Sequence, residues 1–275
     1  MPGVTPQEAL GFRWAYDSGE SMMQIARRFN RGVETVWRHL HKSGATRSAD
    51  EGWGMAKCEG RVPDPPSSRK WSCDEGMFER GLSADASWLL GLIYGDGHIN
   101  RERGRLLLAC GIDRDLADKS KAILGYDGPI RQRNNCWMVE LISRPLVDSL
   151  CVFGLTGGSK TYTMTFPDIP RELLPHFLRG CWEADGTFSR LKRGDLFVKY
   201  TSASLGFVRS MNSILSSEVG VSEASIQKPS GSKGDVSRSI SWAGSSSDLI
   251  AHWMYESSSL SNRSDRKFAV WKGGQ

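Results

Sequence analysis

Two ten-residue segments of this chain repeat in register. WLLGLIYGDG (88–97) and FLRGCWEADG (177–186) align with Leu89 on Leu178, Gly91 on Gly180, Gly95 on Ala184, Asp96 on Asp185 and Gly97 on Gly186. A repeat on this scale implies a duplicated domain with pseudo-twofold symmetry.

The physics of each copy is readable. Gly91 and Gly95 are four residues apart and share one helix face, as do Gly180 and Ala184. Small residues at that spacing let two helix backbones approach closely. Gly97 and Gly186 then stop the helices and free the chain for a turn into a strand. Each Asp sits at a helix C-terminus, where unpaired carbonyls concentrate negative potential. If the two helices pack together, two carboxylates and those carbonyls converge, and a hard divalent cation relieves their repulsion. In one copy, Asp-Gly could merely end a helix; two copies in register argue for more.

Outside the repeat the chain divides by pattern. Residues 1–48 read as three short helices. Thr5-Pro6-Gln7-Glu8 starts the first, which runs to about Ser18. Ser21 starts a second, with Ile25, Ala26 and Phe29 on one face. After a tight turn at 30–32, a third places Val33, Val36 and Leu40 inward and ends at Gly44. This is a helix-turn-helix pattern, and Glu34, Thr35, Arg38 and Lys42 lie on the third helix's outer face, placed to reach a major groove. Residues 49–82, rich in Gly, Pro and Ser, read as a linker. Residues 83–170 and 171–275 are the two copies.

Composition narrows the class. A length of 275 residues suits one large domain plus a small one, and 39% hydrophobic residues suffice for a core. No apolar run reaches membrane length, and the opening MPGVTPQEAL lacks a signal-peptide core, so neither a membrane nor a secreted location is expected. Met1 and Gln275 are not the nucleophile and Asn of protein splicing. The six Cys contain no C-x-x-C pair, so free thiols are expected rather than zinc. A net charge of +5 permits nucleic-acid binding without demanding it.

The two decapeptides resemble the paired motifs of LAGLIDADG homing endonucleases, over roughly residues 83–270. Flanking segments agree: INRERGRLLLACGI, helix DLADKSKAIL, strands GPIRQR and CWMVEL and helix RPLVDSLCVFG in the first copy, and TFSRLKRGDLFVKYTS, helix SLGFVRSMNSILSSEVG, strands ASIQK and SRSISWAG and helix SSDLIAHWMYES in the second. The resemblance implies an α+β fold. It would be a pseudo-twofold duplicated αββαββα core with saddle-shaped antiparallel sheets, plus the small all-α helix-turn-helix domain.

It also implies roles. Asp96 and Asp185 would bind metal, with the carbonyls of Gly95 and Ala184 as added ligands. Lys160 and Lys267 match the basic residue that each half often holds near the metals, phosphate contact or plain surface charge being the alternative. Two departures stand out: Gly111 and Ser202 occupy places where the family often carries Gln, and Tyr94 replaces an acid common in the first motif. The implied cofactor is two or three Mg²⁺ ions, replaceable in binding by Mn²⁺ or Ca²⁺, which activate water and clamp the scissile phosphate. The implied activity is a staggered double-strand cut in a long asymmetric DNA target by a cytoplasmic monomer, a pseudo-dimer within one chain.

Strand alternation gives one sheet face to DNA. Candidate contacts are Arg101, Arg103 and Arg105 around the first hairpin, Arg131 and Arg133 on one strand, Arg190 and Lys192 in the second copy, and Lys199, Lys228 and Arg238. Each could equally be a solvated edge residue. Two other functions remain open: a helix-turn-helix transcription regulator with an inactive LAGLIDADG-like domain, and an RNA maturase.

Overall fold

The computed structural model describes residues 3–48, 51, 70–155, 164–228 and 236–273, in two compact units, 1–68 and 69–275.

The first unit holds α1 (Pro6–Asp17), α2 (Met22–Arg28) and α3 (Val33–Lys42). Thr5 and Glu8 close a capping box on α1, with the Glu8 carboxylate accepting the Thr5 N–H at 2.9 Å. Ser21 and Gln24 do the same for α2. Asn30 turns the chain into α3 at φ 50, a left-handed conformation that Asn tolerates. Phe12, Ala15, Ile25, Ala26, Val36 and Leu40 are buried together. Val33, expected inward, is 43% exposed; it is the first residue of α3 and ends the apolar stripe.

The second unit opens with α4 (Ala84–Asp96), β1 (Gly97–Asn100), β2 (Arg105–Ala109), α5 (Arg114–Ile123), β3 (Ile130–Arg133), β4 (Cys136–Ile142) and α6 (Arg144–Val152). That is αββαββα. The second copy gives α7 (Leu174–Asp185), β5 (Gly186–Arg190), β6 (Leu196–Ser202), α8 (Leu205–Val219), β7 (Arg238–Ala243) and α9 (Ser245–Tyr255), followed by α10 (Asp265–Lys272). Both sheets are antiparallel, in the orders β1-β2-β4-β3 and β5-β6-β7.

Two expectations need correction. The stretch ASIQK supplies a single bridge, Gln227 to Ser239, instead of a strand. Residues 70–82 are not linker. The Asp74 N–H donates to the Leu124 carbonyl at 2.8 Å, Ser72 bonds Asp127, and Met77 and Phe78 are buried in the main core. Their Gly and Ser content hid an apolar anchor. The rest of the expected linker, apart from Glu51, lies outside the described residues. Of the cysteines described, none is in a disulfide; Cys110 and Cys181 are buried, whereas Cys73, Cys136 and Cys151 are partly exposed.

Candidate functional site

The site begins where α4 meets α7. An ideal Cβ on Gly91 would lie 2.2 Å from the Phe177 carbonyl, and one on Gly180 would lie 2.1 Å from the Trp88 carbonyl. Phe177 and Trp88 are themselves equivalent positions of the repeat, so the contact is reciprocal, as twofold symmetry requires. One turn further on, a Cβ at Gly95 would lie 2.3 Å from the Ala184 Cβ and 3.1 Å from Asp185 Oδ2. The helices therefore advance together, and Asp96 and Asp185, their last residues, leave at the same end. Asp185 is exposed and Asp96 half-buried. Both carboxylates act on one group: the Tyr200 hydroxyl is driven well above its ordinary pKa by burial, then by Cys181, Asp185 and Asp96.

The two motif-ending glycines serve differently from the expectation. Gly97 (φ −82, ψ 144) and Gly186 (φ −95, ψ 164) are extended, not left-handed, and run straight into β1 and β5. What excludes a side chain is space. A Cβ on Gly97 would meet the Ile93 carbonyl at 2.5 Å, and one on Gly186 would meet Trp182 Cδ1 at 2.1 Å.

Lys267 is buried on α10. Its ammonium donates to the carbonyls of Trp182 (2.9 Å), Glu183 (2.6 Å) and Gly186 (2.8 Å), closing the C-terminal end of α7. Burial pushes its pKa down to about 8, with Glu183, Asp113 and Asp96 opposing. Neither surface charge nor an extended phosphate arm describes it. Lys160 lies outside the described residues.

A buried polar network that the sequence did not reveal supports α7. Glu183 accepts from Trp88 Nε1 at 2.7 Å and from the Tyr255 hydroxyl at 2.9 Å. Arg179 donates to the carbonyls of Asn262 and Met254 and to the Asn262 side chain, and its guanidinium contacts His176 Nδ1 at 2.9 Å. Burial raises the Glu183 pKa, which Arg179 and the hydrogen bonds oppose. The spacing 176, 179, 183 on one helix face was the available signal.

The face of the first sheet turned away from the helices carries His98, Asn100, Arg105, Leu107, Met138, Glu140 and, on β3, Arg131 and Arg133. Arg131 and Arg133 do share that face. Arg101 and Arg103 are exposed in the hairpin turn, with Arg101 3.6 Å from Asp148. In the second sheet the open face carries Thr187, Ser189, Phe197, Lys199, Thr201 and Ser241. Arg190 does not share it. It follows Gly186 and Phe188 on the helix side and donates to the carbonyls of Val270 and Trp271 at the end of α10 and to that of Gly194. Lys192 is exposed in the turn past β5, so strand alternation no longer governs it. Arg238 has the register of Ile240 and Trp242 and donates to the carbonyls of Val236 and Ser237. Lys228 is exposed beside the Gln227 bridge. In the first unit, Arg38 and Lys42 are exposed and Thr35 half-buried. Trp37, 45% exposed and stacked on His41 at 4.8 Å, joins them on α3.

Residues 172–249 match the family model described as a LAGLIDADG-like domain. The chain carries a LAGLIDADG-like domain. The match falls within the second copy, and the first copy repeats its element order. Among solved structures, the chain is similar to mesophilic variants of the homing endonuclease I-DmoI at 13% identity and a TM-score of 0.44, covering 64% of this chain and 97% of that one. It is also similar to the N-terminal LAGLIDADG domain of DUF199/WhiA at 12% identity and a TM-score of 0.43, covering 71% and 93%. No curated protein matches the sequence.

The donor set suits a hard cation. Asp96 and Asp185 offer carboxylate oxygens from two helix ends, and the Gly95 and Ala184 carbonyls lie in the same last turns. The missing Cβ of Gly95 is what leaves room for the Asp185 carboxylate. Among the described residues no group of three or more His, Cys, Asp and Glu could hold an ion. No helix among the described residues is long and apolar enough to cross a membrane.

Proposed function

We propose that this LAGLIDADG-like protein is a metal-dependent, site-specific DNA endonuclease that makes a staggered double-strand cut at a long asymmetric target. The observation that carries this reading is the joint exit of Asp96 and Asp185 from two helices in reciprocal contact, directly beside the first strands of two sheets.

Asp96 and Asp185, with the Gly95 and Ala184 carbonyls, hold divalent cations of the Mg²⁺ class. Such ions, when bound, supply the charge stabilisation and water activation that phosphodiester hydrolysis demands. Lys267 fixes the end of α7 and with it the position of Asp185. Lys160 is assigned to the same centre from its place in the sequence. The open sheet faces track the duplex, through Arg105, Arg131 and Arg133 on one side and Lys199 on the other. Unequal faces imply unequal half-sites. The first unit acts as a helix-turn-helix module through Thr35, Arg38 and Lys42, and tethering raises its effective concentration at a neighbouring site.

The test is incubation with a randomised duplex library and Mg²⁺. Recovery of one asymmetric cut site supports the endonuclease. Binding without cutting supports the regulator and refutes it. Asp96→Asn and Asp185→Asn are expected to abolish cutting and to spare binding, measured by gel cleavage and fluorescence anisotropy. Retained cutting defeats their assignment.

A further inference from the structure

Glu140 stands in the middle of the first sheet's open face, a place where a carboxylate should repel phosphates. β4, its strand, lies between β2 and β3. The register pairs Glu140 with Leu107, and the two arginines with its neighbours: Arg105 with Ile142 and Arg131 with Met138. Both arginines are thus diagonal to Glu140 on one face, within reach of long side chains. The carboxylate uses both diagonals. Oε1 accepts from Arg105 Nε at 2.6 Å, and Oε2 lies 3.5 Å from Arg131 NH1. The Tyr126 hydroxyl donates to the Glu140 carbonyl at 2.8 Å, tying the backbone of β4 at that residue. Arg105 and Glu140 are each about one-third exposed, half as much as Arg131.

With Nε engaged, Arg105 keeps its two terminal nitrogens for an incoming acceptor pair. The major-groove edge of guanine, O6 and N7, is the base edge that such a fork fits. An unheld arginine would sample many rotamers and settle on phosphates, which carry no sequence information. The corresponding positions of the second sheet, read from the equivalent registers, are Phe197 for Arg105 and Ser241 for Glu140. No such pair exists there.

We propose that Glu140 is a positioning residue for sequence readout: it orients Arg105, and secondarily Arg131, so that the first half of the molecule selects guanine in its half-site. This rests on the DNA-binding reading above. Double-stranded DNA is the ligand the geometry favours, because the major groove of an RNA duplex is too deep and narrow for side chains to read.

The experiment is selection of bound sites by the full-length chain from a randomised duplex DNA pool, with a chelator to prevent cutting, followed by sequencing. Wild-type protein, Glu140→Ala and Arg105→Met are run in parallel. Wild type should show guanine at a fixed position with a preference of roughly tenfold or more. Arg105→Met should lose the preference at that position alone. Glu140→Ala should lose it too while total DNA affinity stays equal or rises, since a negative charge has left the interface. A merely structural or repulsive Glu140 would change affinity uniformly and leave the preference intact, and that result overturns the proposal. So does a Glu140→Ala variant that keeps its guanine preference at any affinity. If wild-type protein binds no duplex at all, the DNA-binding reading falls and this proposal with it, an outcome distinct from binding with an unchanged site.

Discussion

Gly180 shows how much one missing methyl can decide. Its absent Cβ would lie 2.1 Å from a backbone carbonyl, 2.9 Å from the Leu92 nitrogen and 3.0 Å from the Gly91 Cα, none of which can rotate away. Gly180→Ala should cost about 3 kcal/mol or more, the upper part of the overpacking range. In a unit of this size that lowers Tm by roughly 6–12 °C, read by calorimetry; an unchanged Tm would contradict the close crossing. His176 offers a second check. Burial holds its imidazole down at about 4, and the Arg179 guanidinium adds to the effect while Asp85 opposes it. The unfolded chain takes up this proton near pH 6.5 and the folded chain only near 4, so stability is lost as pH falls through that window. His176→Asn should flatten urea midpoints between pH 6.5 and 4. An unaltered slope would rule His176 out as its source.

Helix α10 joins the copies. Its first turn pairs with the first copy: Arg266 meets both Asp113 oxygens at 2.6 and 2.7 Å, and Asp265 meets Lys119 at 2.8 Å. Lys267 closes α7, and the carbonyls at its far end accept from Arg190. Tyr255 stacks on Trp271 at 5.3 Å. Truncation after Ser264 would strip these contacts at once, uncover the Tyr255 ring and take the Val270 and Trp271 carbonyls from Arg190. The truncated chain should melt at least 10 °C lower by circular dichroism, at roughly 2–4 °C per kcal/mol, and lose cutting with it. A truncation that melts like the parent would show that α10 is an ornament of the fold.

At the level of the molecule, two separate hydrophobic cores predict two separable folding units. Deleting residues 1–48 should leave the far-ultraviolet spectrum and melting transition of the remainder intact. Under the proposed function it should also shorten the DNA footprint without moving the cut. An unaltered footprint would remove the first unit from DNA recognition.

The repeat, its two acids and its small residues were legible in the chain because they follow local periodicity. So were the element order of the first copy, that of the second apart from the strand expected at ASIQK, and the capping box at Thr5 in the first unit, which depend on neighbours a few residues away. The partners of long side chains were not. Arg190 looked like Arg131 in the sequence, yet its strand parity and the nearby end of α10 turned it to helix carbonyls. Lys267 looked like a basic residue set beside the metals, with surface charge as the alternative, and became a buried clasp; Glu140 carried no signal until β2, β3 and β4 brought two arginines to it. Local propensity and spacing act along the chain and can be read there. Which carbonyl or carboxylate a cation finds depends on segments up to 153 residues away, as with Arg266 and Asp113, and only packing brings those together.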